Sequence, residues 1–201
     1  MLVKGIKSRP TYNGITLNPA ARKHLVALEA EGAEALLEQS QSANSEEWSK
    51  SEILFVATSA TAADYEQKMA ALKANNVWQA PTIPILLNRL SAVLSKSHMG
   101  TCLYVSGTEG FIGQVMQVAM NHGIDPASIK TEHRGSEARR VQCVHCKGFT
   151  DNVRTSPYTC PHCGLSLLVR DHYSRRLGAF QGVCIDAEEP GTAPTPEVMF
   201  P

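Results

Sequence analysis

The chain has 201 residues, of which 43% are hydrophobic, so it is long enough to bury the core of one medium domain with a small appendage. Nineteen basic residues balance nineteen acidic ones, so no net field draws the chain to nucleic acid or to a membrane surface. No apolar run is long enough to span a bilayer, and Met1-Leu-Val-Lys-Gly-Ile-Lys lacks the apolar core of a secretory signal, which predicts a cytoplasmic protein with reduced thiols.

The first fifty residues predict a helical segment followed by a linker. Asn18 is a suitable cap before Pro19, and apolar residues recur on one side of a predicted helix that extends to Gln39. The stretch 40–50 is polar and rich in serine, which predicts an exposed loop. Residues 1–50 are therefore expected to precede the first folded domain.

Residues 51–135 predict an α/β domain. A continuous apolar run in 52–58 indicates a strand covered on both faces, and a helix is expected from Thr61, with Asp64 as its capping partner. A second helix is expected from Thr82 and Pro84, followed by a buried strand at Cys102-Leu-Tyr-Val105.

The turn Ser106-Gly107-Thr108 follows this buried strand and opens a further helix. Ser106 is predicted as its cap, with Glu109 as capping partner and Gly123 as the stop signal. Such a turn can cradle a phosphate, which makes Ser106, Gly107 and Thr108 candidate cofactor-binding residues, although an ordinary strand-to-helix turn explains the same pattern. Neither a GxGxxG nor a GxxxxGK[ST] motif occurs in the chain.

After this helix, 125–132 is expected to return as an edge strand. The alternation of strands and helices predicts a small parallel sheet flanked by helices.

Residues 136–187 predict a zinc ribbon. The knuckles Cys143-Val-His-Cys146 and Cys160-Pro-His-Cys163 lie thirteen residues apart, and four thiolates from two tight turns form a closed tetrahedral shell that suits Zn²⁺ in a structural role. An iron site of the rubredoxin type is the alternative, but rubredoxins separate their knuckles by a longer segment. His145 and His162 are predicted to be exposed spacers.

Other chemistry-bearing residues have ordinary structural explanations. Cys102 lies in an apolar strand pattern and is predicted to be a small buried hydrophobe, and Cys184 is also predicted to fill a core. Arg170, Arg175 and Arg176 belong to a basic run after the second knuckle and are predicted to contact acidic partner surfaces.

A ribbon of this kind could also bind nucleic acid, but few aromatic residues are available to stack on bases. The final stretch, 188–201, is acidic and rich in proline, and a flexible tail is expected.

Two resemblances add to this interpretation. The first joins Leu103-Tyr-Val-Ser-Gly-Thr-Glu-Gly-Phe-Ile112 to Gly123-Ile-Asp-Pro-Ala-Ser-Ile129 and Glu132, which resembles the end of the pyridine-nucleotide domain of ferredoxin reductases. Ser106 and Thr108 stand where that family has cysteine and proline, and its glycine-rich first turn has no counterpart. The resemblance implies a degenerate fold of that type and leaves open a component that binds NADPH and acts in hydride transfer. The alternative of a rubredoxin-like iron site in the ribbon would instead make the chain an electron-transfer component.

The second resemblance covers 143–163 and then Leu168-Val-Arg-Asp-His-Tyr-Ser-Arg-Arg-Leu-Gly-Ala-Phe-Gln-Gly-Val183. This string is similar to the C-terminal domain of the dimethylamine monooxygenase subunit DmmA family. The resemblance implies an accessory subunit of a multicomponent enzyme that demethylates dimethylamine to methylamine and formaldehyde with NADPH and O₂. NADPH, flavin, iron-sulfur and haem chemistry would then belong to reductase and oxygenase partner subunits.

Overall fold

A computed structural model of the chain describes residues 8–40, 44–57 and 62–201. It divides into two compact units. Residues 12–135 form the first, here called the α/β unit. The second, here called the ribbon unit, combines residues 8–11 with 136–201.

The α/β unit is built on a wholly parallel sheet, as the sequence predicted, and this sheet has five strands. Its strands are β1 (Lys23–Glu29), β2 (Ser51–Val56), β3 (Asn76–Ala80), β4 (Thr101–Gly107) and β5 (Lys130–His133). The order across the sheet is β3-β2-β1-β4-β5, so β1 lies at the centre and β5 at one edge.

Helices cover both faces of this sheet. They are α1 (Gly32–Gln39), α2 (Ser45–Ser49), α3 (Ala62–Ala70), α4 (Ile83–Leu94) and α5 (Glu109–Asn121), with a 3-10 turn at Pro126–Ser128. Leu25 and Ala27 of β1 face a core shared with α4 and α5, whereas Val26 and Leu28 face a second core shared with α1 and α3. Within the described ranges, none of these helices combines the length and the apolar character that crossing a bilayer would require.

The helix predicted from Asn18 to Gln39 is wrong over its first half. Lys23–Glu29 is the central strand, and only Gly32–Gln39 is helical. The reason is that Leu25-Val-Ala-Leu28 is a continuous apolar run buried on both faces, the pattern that correctly predicted β2. The first fifty residues are therefore not a separate segment, since they supply β1.

Two further elements of the α/β unit were not predicted. Strand β3 is short and only half-buried, so its sequence shows little alternation. Helix α2 lies inside the predicted linker, where Asn44 and Glu47 form a capping box that satisfies the first backbone N–H groups of the helix.

Some of the predicted helix boundaries are confirmed and others are wrong. Helix α4 begins after Thr82 as predicted, and Gly123 follows the end of α5 with a φ of 77°. Ser106 is not the cap of α5: it lies buried inside β4, and the Thr108 side chain accepts the capping bond from the Phe111 N–H at 3.4 Å. The predicted cap at Thr61 lies outside the described residues.

The ribbon unit is built from short strands. They are β6 (Arg139–Cys143), β7 (Phe149–Val153), β8 (Thr155–Ser156), β9 (Tyr158–Thr159), β10 (Ser166–Ser174), β11 (Ala179–Cys184) and β12 (Glu197–Val198). Five form a sheet in the order β7-β6-β11-β10-β9, antiparallel except for the β6–β11 pair, and β12 pairs with β8. Strands β6 to β11 all lie within the 136–187 stretch that was predicted to be a ribbon.

The flexible tail predicted over 188–201 is a further error. Beyond the β12–β8 pairing, the N–H groups of Met199 and Phe200 both donate to the Arg154 carbonyl, at 2.9 and 3.0 Å. Phe200 is 6% exposed and belongs to the core of the ribbon unit. One aromatic residue near the end of a polar stretch therefore anchors the tail, a signal that composition alone does not show.

Candidate metal centre

The two knuckles bring four sulfur atoms together. The Sγ atoms of Cys143, Cys146, Cys160 and Cys163 all lie within 4.8 Å of one another. Two of the separations, Cys143 to Cys163 and Cys146 to Cys160, are 3.8 Å. A tetrahedron with metal–sulfur bonds of about 2.3 Å has an edge of about 3.8 Å, so these two separations match a tetrahedral ion.

Both knuckles owe their shape to the same backbone pattern. The N–H of Cys143 donates to the Gly148 carbonyl, and the N–H of Cys160 donates to the Leu165 carbonyl, each at 2.9 Å. The residue after the second cysteine of each knuckle adopts a left-handed conformation, with φ of 64° at Lys147 and 76° at Gly164. This turn aims the two sulfurs of a knuckle at the same point.

The sulfurs sit at the margin of the ribbon core. Cys143 and Cys160 are buried, and Cys146 and Cys163 are half-buried. Burial tends to raise the pKa of Cys160, but hydrogen bonds from the backbone N–H groups of His162 and Cys163 hold that pKa below its usual range. The Leu165 N–H lowers the pKa of Cys163, yet burial and the three neighbouring thiols together raise it to about 12. The quartet therefore resists full ionisation on its own, and a thiophilic cation would supply the compensating charge.

The two histidines within the knuckles are both exposed, as predicted, but they differ in their contacts. Neither belongs to the sulfur cluster among the described residues. The His162 ring lies against Gly148, where a β-carbon would come within 2.4 Å of the ring, and its Nε2 lies 2.9 Å from the Phe149 carbonyl oxygen. His162 thus links the second knuckle to the first. The sequence analysis, which predicted His162 to be a spacer, did not indicate this contact.

The remaining cysteines lie elsewhere. Cys102 is in β4 of the α/β unit and is half-buried. Cys184 ends β11, and its Sγ donates to the Asp186 carboxylate at 3.3 Å. Neither belongs to the sulfur cluster found among the described residues.

The predicted partner-facing arginines lie on one strand and the turn after it. Arg170 is an exposed residue of β10, and Arg175 and Arg176 are exposed in the turn that leads to β11. Their role in partner contacts stays a prediction.

A different arginine organises the core of the ribbon unit. Arg139 is 4% exposed, and its guanidinium lies 4.0 Å from the ring centres of both Phe180 and Phe200. The same group donates to Asp171 at 2.7 Å, and Arg9 donates to that carboxylate at 3.0 Å. Sequence reasoning missed this cluster because its members are far apart in the chain.

The candidate cofactor turn at Ser106, Gly107 and Thr108 is already engaged within the chain. The Glu29 carboxylate accepts hydrogen bonds from the Thr108 N–H at 2.9 Å and from the Thr108 hydroxyl at 2.6 Å. No sequence pattern indicates this contact, and the predicted helix over 18–39 placed Glu29 in the wrong kind of element.

The fold and the cysteine quartet define a class of protein: a parallel α/β unit combined with a ribbon of the kind that carries a structural metal. Family models narrow this class. The N-terminal domain model of the dimethylamine monooxygenase subunit DmmA-like proteins matches residues 4–129, and the C-terminal domain model matches residues 140–183. The chain belongs to this family.

A curated relative agrees with this assignment. The chain is 34% identical over 110 residues to the heme-dependent oxidative N-demethylase delta subunit of Ectopseudomonas mendocina (strain ymp). The match covers 55% of this chain and 63% of the relative, so it spans less than two thirds of that protein's length.

Solved structures show weaker sequence similarity to this chain. Full-length CYP116B46 from Tepidiphilus thermophilus aligns over 71% of this chain and 20% of its own, with 14% identity and a TM-score of 0.46. The flavohemoglobin of Malassezia yamatoensis aligns over 59% of this chain and 33% of its own, with 12% identity and a TM-score of 0.41.

Proposed function

We propose that this chain is an accessory subunit of a multicomponent, NADPH-dependent dimethylamine monooxygenase of the cytoplasm. In this role it docks reductase and oxygenase subunits, and the complex converts dimethylamine and O₂ to methylamine and formaldehyde. Membership of the DmmA-like family carries the proposal, and the name of the relative, a delta subunit of a heme-dependent oxidative N-demethylase, supports it.

The four knuckle cysteines would hold Zn²⁺ as a structural ion. Four thiolates complete its coordination shell, and such an ion cross-links strands that could not bury enough core by themselves. Flavin, iron-sulfur and haem groups, together with the NADPH site, are assigned to the partner subunits. Ferrous or ferric iron fits the same sulfur geometry, so metal analysis with a visible spectrum decides the assignment: a colourless protein with one zinc per chain is expected, and a coloured, reducible one would overturn it.

The ribbon unit offers a docking surface. Arg170, Arg175 and Arg176 are exposed on a strand and turn that the metal centre and the Arg139 cluster hold in place. Exposed guanidinium groups on a rigid surface favour contact with carboxylates of a partner. We therefore assign these three residues to contacts with acidic surfaces of the reductase or the oxygenase.

Co-expression tests the proposal. The chain, carrying an affinity tag, is produced with candidate reductase and oxygenase subunits, and dimethylamine-dependent NADPH oxidation is measured with and without it. Co-purification and a severalfold loss of turnover in its absence are expected. The triple substitution of Arg170, Arg175 and Arg176 by Gln is expected to weaken co-purification, whereas Arg22→Gln in the α/β unit serves as the matched control. A complex that forms and turns over equally well without the chain would refute the accessory role.

A further inference from the structure

The strand order of the α/β unit defines a crevice where a ligand would be expected. The chain runs outward from β1 to β2 and β3, then returns to form β4 on the other side of β1. Open parallel sheets bind ligands at the carboxyl ends of the two strands that flank such a reversal. In this chain those strands end at Glu29 and Gly107.

Glu29 fills this position with its own side chain. It is 7% exposed, and its Oε2 accepts from both the N–H and the hydroxyl of Thr108, at 2.9 and 2.6 Å. Thr108 caps α5, a helix of 13 residues, so the carboxylate lies where free N–H groups and the helix dipole attract an anion. The place of a ligand phosphate is thus taken by an anion that belongs to the chain.

Two glycines fit the backbone closely around this carboxylate. A β-carbon at Gly107 would lie 2.8 Å from the Glu29 β-carbon and 3.0 Å from its Oε2. A β-carbon at Gly32, the first residue of α1, would lie 2.2 Å from the Ser106 carbonyl oxygen. Helix α1 therefore packs directly on the end of β4, and little room is left above Glu29.

The charges around the crevice are also unfavourable for a phosphate. Glu31 lies beside the crevice, with its Oε2 3.2 Å from the position of a β-carbon at Gly135. Arg134, the basic residue that follows β5, is paired with Glu132 at 2.6 Å and with Glu38 at 2.8 Å. A pyrophosphate would meet like charge at Glu29 and Glu31, and a basic side chain that is already neutralised.

We infer that Glu29 is an internal substitute for a nucleotide phosphate, which closes the crevice of the α/β unit to NADPH. This inference rests on the proposed accessory role and extends it, because a partner subunit must then provide the nucleotide site of the complex. Removal of the Glu29 carboxylate should turn the N-terminus of α5 into an open anion site.

The test uses the full metal-loaded chain and two probes, NADPH and inorganic pyrophosphate, at ionic strength matched with chloride. The amide resonance of Thr108 and the thermal midpoint are followed in the wild type, in Glu29→Ala and in the isosteric Glu29→Gln. Glu31→Gln is the matched control, since it removes a nearby acid that makes no bond to Thr108. Glu29→Ser replaces Glu29→Ala if the alanine variant does not fold.

The expected result is a wild type and a Glu31→Gln variant whose Thr108 amide does not move with either probe at millimolar concentration. Glu29→Ala should show a saturable shift of that amide with pyrophosphate and an apparent affinity at least about tenfold above that of the wild type. Glu29→Gln should respond weakly, because the amide still fills the crevice.

Saturable binding of NADPH to the wild type with movement of the Thr108 amide would overturn the inference. A folded Glu29→Ala or Glu29→Ser variant that responds to pyrophosphate no better than the wild type would overturn it as well. Because these measurements concern the isolated chain, either failure leaves membership of the complex to be decided by co-purification.

Discussion

At the scale of single residues, Arg139 holds three parts of the ribbon unit through one guanidinium group. It pairs with Asp171 of β10, packs on Phe180 of β11 and packs on Phe200 of the tail. Cation–π contacts with two rings and an ion pair with the half-buried Asp171 act on the same group, so removing its charge weakens all three contacts at once.

Arg139→Met should destabilise the ribbon unit by about 3 kcal/mol, because methionine keeps apolar contact with the rings but leaves Asp171 without its buried partner. The measurement is a urea titration of the metal-loaded chain, followed by the amide resonances of β11. Arg9→Gln is the matched control: Arg9 contacts the same carboxylate, but its side chain is 59% exposed, and a loss below about 1 kcal/mol is expected. Equal losses in the two variants would contradict the role given to burial.

His24 should make the α/β unit sensitive to acid. Its ring is fully buried, and burial, reinforced by Lys50 and opposed by Glu47, holds its pKa below the usual value. The unfolded chain therefore takes up the proton more readily, and stability should fall as pH drops below about 6.5.

Both tryptophans lie in the α/β unit, so their fluorescence during urea unfolding at several pH values measures this effect. His24→Gln should flatten the dependence between about pH 7 and about pH 5, whereas the exposed His98→Gln should leave it unchanged. An identical slope in the wild type and in His24→Gln would show that the group responsible lies elsewhere.

At the scale of elements, substitutions at two glycines distinguish the cost of a steric clash from the cost of an unfavourable backbone conformation. Gly32→Ala places a β-carbon against the Ser106 carbonyl oxygen and should cost about 3 kcal/mol in the urea unfolding of the α/β unit. Gly123→Ala meets nothing within 4 Å but keeps a φ of 77°, and about 1 kcal/mol is expected. A Gly32 variant as stable as the Gly123 variant would mean that α1 can move away from β4.

The tail should behave as an element of the ribbon unit. Phe200→Ala removes a buried ring from the core and from the Arg139 stack, and a loss of about 3 kcal/mol is expected in the β11 urea titration. Met199→Ala is the neighbouring control, because Met199 is 55% exposed and should change stability by less than about 0.5 kcal/mol. If both variants unfold with the wild type, the tail contributes no stability.

Elements were predictable where one local signal decided them. The run in β2, the Pro84 start of α4 and the glycine after α5 each carry such a signal, and the structure confirms all three. Strand β1 has the same apolar run as β2, but helical spacing at Leu25 and Leu28 obscured it. The four sulfurs were predictable because each knuckle is local, whereas the bond between Glu29 and Thr108 spans 79 residues and depends on tertiary packing.

At the scale of the whole molecule, each unit has its own hydrophobic core, so metal removal should affect them differently. Structural zinc contributes on the order of 10 kcal/mol to small β modules, so a strong chelator should collapse the β11 amide signals of the ribbon unit. Helical circular dichroism and tryptophan fluorescence should persist, because the described helices and both tryptophans belong to the α/β unit.

Cysteine variants give the matched comparison. Cys160→Ser should lose the metal and reproduce the effect of the chelator, whereas Cys184→Ser should keep one metal ion per chain, because Cys184 lies outside the sulfur quartet. Native β11 signals in the Cys160→Ser variant would show that the ribbon unit folds without the metal.

The ribbon unit is discontinuous in the chain, and this has a consequence for biosynthesis. Ser8 bridges to His172, and its hydroxyl and carbonyl bond to Tyr173, 165 residues further on, so the early segment must wait for its partners. The residues of the α/β unit leave the ribosome before the C-terminal part of the ribbon unit, so they can complete their parallel sheet while Ser8 is still without its partners. Metal capture by the four cysteines is then expected among the last events in maturation, after the second knuckle has left the exit tunnel. A cell short of that metal would accumulate chains in which the α/β unit is folded and the ribbon unit is not.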